Sequence, residues 1–313
     1  MKTKVILAIE TSCDDTSIAI LKNQKVLSNV TLSTIDKHCK YGGIVPEIAA
    51  RGHEQCLSKC FTQALVKAKI KREQLTHIAY AAEPGLPGSI HVGKVFAKSM
   101  AFLLDIPLIP INHMMGHVFS FAINKDKKDI RFPFISLVAS GGHTSIYLFK
   151  SFTNYKLLTK TNDDAIGETL DKIGRMLNLK YPGGISIDQI YCQNKSNVKL
   201  INHFQPNAPF SFSGMKTHIL NLINQYKMKK NKIDKVSIAS SLLKWVIDEI
   251  LIKLIYYLKK YKVNNLSIGG GVSANKQLRK ILSKLKVKIS LPEIKYTGDN
   301  AAMIGYYAYL ITK

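Results

Sequence analysis

Two stretches of this chain carry the same pattern, and together they constrain the fold more than any other feature. Val5–Leu21 is an apolar strand, a short polar turn around Thr11–Asp15, and a second apolar strand. Phe134–Phe149 repeats it, with the turn at Ser140-Gly141-Gly142-His143. Each reads as a β-hairpin from its turn chemistry, and each opens one half of the chain, so an internal duplication is the economical explanation. Between and after the hairpins, amphipathic patterns predict helices over 47–69, 92–104, 237–260, 276–285 and 300–310. A late strand at 265–268 runs into Gly269-Gly270-Gly271. The expected architecture is α/β: two lobes with mixed sheets and a cleft between them. The charged stretch Asn124–Asp129 marks the weak boundary, giving lobes 1–130 and 131–313, with the last helix packing back on the first lobe.

The length of 313 residues suits two lobes, and 46% hydrophobic residues is ample for their cores. No apolar run approaches the ~18 residues that span a bilayer. The apolar start is short and ends in Glu10-Thr11-Ser12, so it reads as a first strand rather than a signal peptide, and a cytoplasmic location is expected. Five cysteines, an odd number without a C-x-x-C, read as reduced thiols. A net charge of +24 favours a polyanionic partner, although Lys-for-Arg drift in an AT-rich genome produces the same excess. The basic runs 227–235 and 253–262 read as solvated helix faces.

His113 and His117 stand four apart after the apolar run 106–111, the spacing a divalent metal needs from two nitrogen ligands on one helix face. A zinc-protease helix would carry Glu directly after the first His, and Met114 stands there. An ordinary helix face is the competing reading. Asp299 either caps the last helix or adds a third ligand from the opposite lobe, leaving coordination positions open. The Gly141-Gly142 turn is either a tight hairpin or a phosphate cradle. Gly269-Gly270-Gly271 more strongly requires close backbone approach or positive φ. Asn275 is a helix cap or a base-reading amide. Asp164, Glu168 and Asp171 fall on one acidic helix face, which with the Tyr181-Pro182-Gly183-Gly184 turn suggests a ligand. Phe210–Thr217 is a run of aromatics and hydroxyls suited to stacking, phosphate contact or a buried strand end.

In order along the chain, Glu10–Asp14, Tyr41–Glu47, Pro84-Gly85-Leu86, His113/Gly116/His117, Ser140–Thr144, Asp171-Lys172, Tyr181–Gly184, Phe210–Gly214, Gly270–Asn275 and Asp299–Ile304 resemble the universal tRNA threonylcarbamoyladenosine transferase family, formerly described as O-sialoglycoprotein endopeptidases. The resemblance covers essentially the whole chain. It implies the two-lobe actin/sugar-kinase/Hsp70-like ATPase fold with duplicated mixed sheets and a central cleft. It implies transfer of the threonylcarbamoyl group from threonylcarbamoyl-AMP to N6 of adenosine 37 in tRNAs reading ANN codons, with AMP released. By the family pattern His113, His117 and Asp299 hold one divalent metal per subunit, Fe2+ or alternatively Zn2+. Val138, Ala139, Ser140, Gly141, Gly142, Asp171, Gly184, Asp188 and Asn275 match the adenylate-binding positions, and Asp14 matches an acid that assists the chemistry. The implied partners are tRNA, an inactive paralogue and a P-loop ATPase, with the helix over 47–69 as docking face and no membrane. The family usually places Glu where this chain has Met115. A kinase or ATPase of the same fold, a metalloprotease and a non-catalytic scaffold are the competing functions.

Overall fold

The computed structural model of the chain describes residues 3–201 and 204–312, without the side chain of Cys39. The chain divides into two compact units, the first running to Arg131 and resuming at Leu291, the second spanning Phe132–Ser290.

The first unit contains β1 (Val5–Glu10), β2 (Asp15–Lys22), β3 (Lys25–Ser33), α1 (Ile35–Cys39), α2 (Pro46–Ala68), β4 (His77–Glu83), α3 (Pro87–Leu104), β5 (Leu108–Asn112) and α4 (His113–Phe119). Its sheet order is β3-β2-β1-β4-β5. The β1–β2 hairpin is antiparallel, with Ile9 opposite Ile18, while β4 and β5 add in parallel beyond β1. Every residue of β1 is buried, as expected for a central strand covered on both faces. Because β1, β4 and β5 run the same way, their carboxyl ends at Glu10, Glu83 and Asn112 lie along one side of the sheet. Ligands bind at that side in open α/β sheets.

The second unit contains β6 (Phe134–Ala139), β7 (Thr144–Phe149), β8 (Tyr155–Lys160), α5 (Ile166–Met176), α6 (Gly183–Ile190), α7 (Ser213–Met228), α8 (Lys235–Tyr261), β9 (Asn265–Gly269), α9 (Lys276–Leu282) and β10 (Lys288–Ser290). Its sheet reads β8-β7-β6-β9-β10, the same topology as the first, with an antiparallel hairpin and two parallel additions. The duplicated hairpins thus occupy equivalent places in two equivalent sheets. The final helix, α10 (Ala301–Ile311), packs on β1, β2 and α4 and belongs to the first unit.

Two readings of charge change. Asp164 precedes α5 instead of sharing its face, and its carboxylate accepts from Lys172 at 2.9 Å and Lys216 at 2.8 Å, while Glu168 pairs with Lys172. Asp164 and Glu168 are thus neutralised by lysines. Lys253 is not solvated: it is fully buried, paired with Glu249 at 3.2 Å, and donates to the carbonyls of Gln205 and Ala208. A buried ammonium requires acceptors on all sides, and the Glu249 carboxylate with these two carbonyls supplies them. The Phe210–Gly214 run is structural, with both phenylalanines buried and the Ser211 and Ser213 hydroxyls donating to Asp163. Cys13, Cys56, Cys60 and Cys192 are free thiols, while Cys39 has its side chain outside the described atoms. Among the described residues no helix is long and apolar enough to cross a membrane.

Candidate metal centre and nucleotide cavity

β5 ends at Asn112, whose side chain accepts from the Met114 amide at 3.0 Å and so starts α4 at His113. One turn later His117 lies on the same face, and the two rings are nearly perpendicular with centroids 4.6 Å apart. Gly116 stands between them. A Cβ there would lie 3.0 Å from Met303 Cγ and 3.1 Å from Ile304 Cδ1, so the missing side chain lets α10 approach α4 closely. The start of α10 is fixed as well. Asn300 caps it by accepting from Met303, and the Ala301 and Ala302 amides donate to Ser17 and Asn29.

Asp299 precedes that cap and is not itself the cap. Its Oδ1 lies 3.1 Å from His117 Nε2 and 3.6 Å from His113 Nε2. It comes from the same unit as the histidines, where the sequence reading had assigned it to the opposite lobe. The three donor atoms lie within 4.8 Å of one another. Two imidazoles and one carboxylate, with further positions open, suit Fe2+ or Zn2+ by donor chemistry. Met114 and Met115 are buried in the same helix and offer no carboxylate.

The electrostatics are unusual for so small a region. Burial opposes the charged ring of His113, but Glu10 and then Asp299 outweigh it and raise its pKa to about 9. Burial wins at His117, which is lowered despite its bond to Asp299. Asp14 is raised by burial and by Asp299. The Cys13 thiol is held protonated by burial, Asp299 and Asp14, which removes it as a nucleophile. Asp15 is raised to about 6, chiefly by burial, with Asp14, Asp299 and Glu10 adding to it against the Ser33 hydrogen bond. A raised carboxyl binds its proton more tightly folded than unfolded, so its contribution is full below about pH 4 and is lost as pH rises through about 6. In chelator-treated protein, Asp15→Asn is therefore expected to raise the melting temperature at about pH 8 and to leave it near wild type at about pH 4. Equal effects at both pH values would show that the carboxyl does not titrate in this way.

In the second unit, a cavity of about 400 Å³ opens where β6 and β9 end. Five of the predicted adenylate positions line it: Gly141, Asp171, Gly184, Asp188 and Asn275. Val138 and Ala139 are buried within β6, Ser140 is buried at its end, and Gly142 is exposed outside the lining. The Ser140 amide donates to the His143 carbonyl at 2.8 Å, and the Gly167 and Glu168 amides donate to the carbonyls of Ser140 and Gly141, which ties the turn to the start of α5. Asp171 accepts from the Gly184 amide, and Asp188 Oδ2 accepts from the Lys276 amide. Asp188 Oδ1 is buried with no partner among the described residues. Asn275 caps α9, accepting from Leu278 at 2.9 Å, and still lines the cavity. The volume lies in the range of small-ligand pockets, and two carboxylates there can accept from hydroxyls.

Sequence reasoning missed Glu10. It is fully buried at the end of β1, with Oε2 2.9 Å from His113 Nδ1. A carboxylate closing an otherwise apolar strand was the available signal. It also missed Ile185, Gln189 and Lys276 in the cavity wall, whose side chains carry no motif of their own.

Duplicated sheets of this topology define the actin-like ATPase fold class. Over 98% of the chain the fold superposes on full-length HypF in its phosphate- and nucleotide-bound form, with a TM-score of 0.64, 11% identity and 55% of that chain covered. Residues 25–306 match the profile of tRNA N6-adenosine threonylcarbamoyltransferase. The protein of that name from Ureaplasma parvum serovar 3 is 49% identical over 309 residues, covering 99% of this chain and 96% of that protein. The one from Mycoplasma pneumoniae is 44% identical, covering 98% and 96%. The chain belongs to the tRNA N6-adenosine threonylcarbamoyltransferase family, a family of acyltransferases.

Proposed function

We propose that this chain moves the threonylcarbamoyl group from threonylcarbamoyl-AMP to N6 of adenosine 37 in tRNAs reading ANN codons, releasing AMP. The observation that carries the reading is the His113–His117–Asp299 donor group, on positions that the family resemblance assigns to a metal. When bound, a divalent cation there, Fe2+ in the first instance and Zn2+ as the alternative, would polarise a carbonyl or phosphate oxygen of the donor.

The chain's own groups account for the other steps. Asp171 and Asp188 accept hydrogen bonds from the ribose hydroxyls, and the amides of Gly141 and Gly142 stabilise the phosphate as it leaves. N6 of adenosine attacks the carbamoyl carbon, the bond from that carbon to the phosphate oxygen breaks, and the amine proton passes to Asp14. A carboxylate whose pKa is raised by burial and by Asp299 is better matched to that proton than an ordinary one. The net charge of +24 favours holding the tRNA through its phosphates. Partners of the family kind, an inactive paralogue and a P-loop ATPase, would dock on the first unit. Val66 on α2 and Phe102 and Leu103 on α3 are exposed apolar side chains on two helices packed together, suited to such a contact. The reaction is assigned to the cytoplasm, where its tRNA substrate is found.

The test supplies the protein and its partners with threonylcarbamoyl-AMP and tRNA, and measures modified nucleoside by mass spectrometry. Asp14→Ala is expected to reduce transfer roughly a hundredfold, the lower end of general-base contributions. Undiminished transfer by Asp14→Ala or His113→Ala would remove the assigned roles. Consumption of free ATP in place of the adenylate would favour a kinase or ATPase.

A further inference from the structure

We propose that Glu10 is a positioning residue for the metal centre, its buried carboxylate holding His113 in the tautomer that leaves Nε2 free for a cation. The inference rests on the reading of His113, His117 and Asp299 as metal ligands, and goes beyond it by assigning what orients the first of them.

Glu10 is fully buried at the carboxyl end of β1, and His113 follows the carboxyl end of β5 on the same side of one sheet. A carboxylate in that setting is costly unless its oxygens are engaged. Both are. Oε1 accepts from the Ser12 amide at 2.6 Å, and Oε2 lies 2.9 Å from His113 Nδ1. The Ser12 hydroxyl also reaches Nδ1, at 3.1 Å. A carboxylate only accepts, so Nδ1 carries an N–H toward Glu10, and the nitrogen that gives up its proton to a cation is Nε2. The lone pair is then on Nε2, the nitrogen facing Asp299.

The same geometry makes an isosteric change informative. In Glu10→Gln the Ser12 amide still needs an acceptor, so the amide oxygen stays there and the NH2 group turns toward Nδ1. Nδ1 must then accept, the proton moves to Nε2, and the ligand lone pair is lost. Shape is preserved while the tautomer is reversed.

The experiment uses the full chain, measuring Zn2+ affinity by chelator competition and the Co2+ absorption spectrum as a report on the ligand field. Glu10→Gln is expected to bind Zn2+ about 10–100-fold more weakly, the range for such outer partners, with an altered Co2+ spectrum and a cooperative metal-free melting curve that shows it folded. Ser12→Ala, which keeps the backbone amide, is expected to retain affinity. Wild-type affinity in Glu10→Gln, alongside loss of metal in His117→Ala, overturns the role of Glu10 and leaves the metal site standing. A Ser12→Ala loss equal to that of Glu10→Gln assigns the role to the hydroxyl and overturns it too. Wild-type binding in His117→Ala overturns the metal-site reading itself. If Glu10→Gln does not fold, Glu10→Asp is measured instead. It keeps the charge but is one methylene shorter, so a partial loss is expected and wild-type affinity overturns the proposal.

Discussion

Asp299→Ala is expected to abolish stoichiometric metal binding and to lower transfer at least about a thousandfold, the loss of several kcal/mol of transition-state stabilisation. Oδ1 of Asp299 lies within 3.6 Å of both Nε2 atoms, and it is the one carboxylate of the donor group. Without it, the donor group is reduced to two buried imidazoles and has no anionic ligand for a divalent charge. The substitution also removes a carboxylate that raises the pKa of His113, Asp14 and Asp15, so protonation across the site shifts with it. Metal content by emission spectroscopy and melting temperature with and without Zn2+ are the measurements. A ligand that binds only the folded state at about a hundred times its Kd adds about 2.7 kcal/mol of stability, which wild type should show and Asp299→Ala should lack. Unchanged stoichiometry in the variant would remove Asp299 from the ligand set.

Gly270→Ala is expected to destabilise the fold by about 4 kcal/mol, an effect that requires a specific mechanism. Two are present. Gly270 sits at φ 85° and ψ 166°, a region essentially reserved for glycine. A Cβ would also lie 2.3 Å from the Ala139 carbonyl oxygen and 2.7 Å from its carbon. Backbone cannot move aside as a flexible side chain can, so β6 and β9 would have to separate at the ends where the cavity opens. Nucleotide binding should fall together with stability. Gly271→Ala is the control, since its Cβ would meet nothing within 4 Å, and it should unfold within about 0.5 kcal/mol of wild type. Equal midpoints for the two variants in urea would contradict the mechanism.

Some of this was legible in residues alone. Continuous apolar strands around a polar turn made both hairpins readable, because such a run buries both of its faces in a sheet covered on both sides. Three successive glycines marked a place where backbone approaches backbone, and Gly270 is that place. Helices 47–69 and 237–260 were readable to within a few residues as α2 and α8. Other features were misread for definite reasons. The acidic face over 164–171 assumed that Asp164 is helical, but α5 starts at Ile166, which frees Asp164 to meet two lysines. Lys253 sits in a basic run like any solvated lysine, and the Gln205 and Ala208 carbonyls, far off in sequence, join Glu249 in making it a core residue.

The His113/His117 pair shows the division most clearly. Helical periodicity set both rings on one face, since residues four apart on a helix must project together. Periodicity is local and says nothing about what approaches that face. Asp299 is 182 residues from His117, and it arrives because Gly116 leaves room for α10 and because Ser17 and Asn29 hold the start of that helix. Glu10 arrives because parallel strands bring their carboxyl ends to one side of the sheet. Spacing along the chain therefore determined which two nitrogens could act together, while packing between distant elements decided which carboxylates surround them.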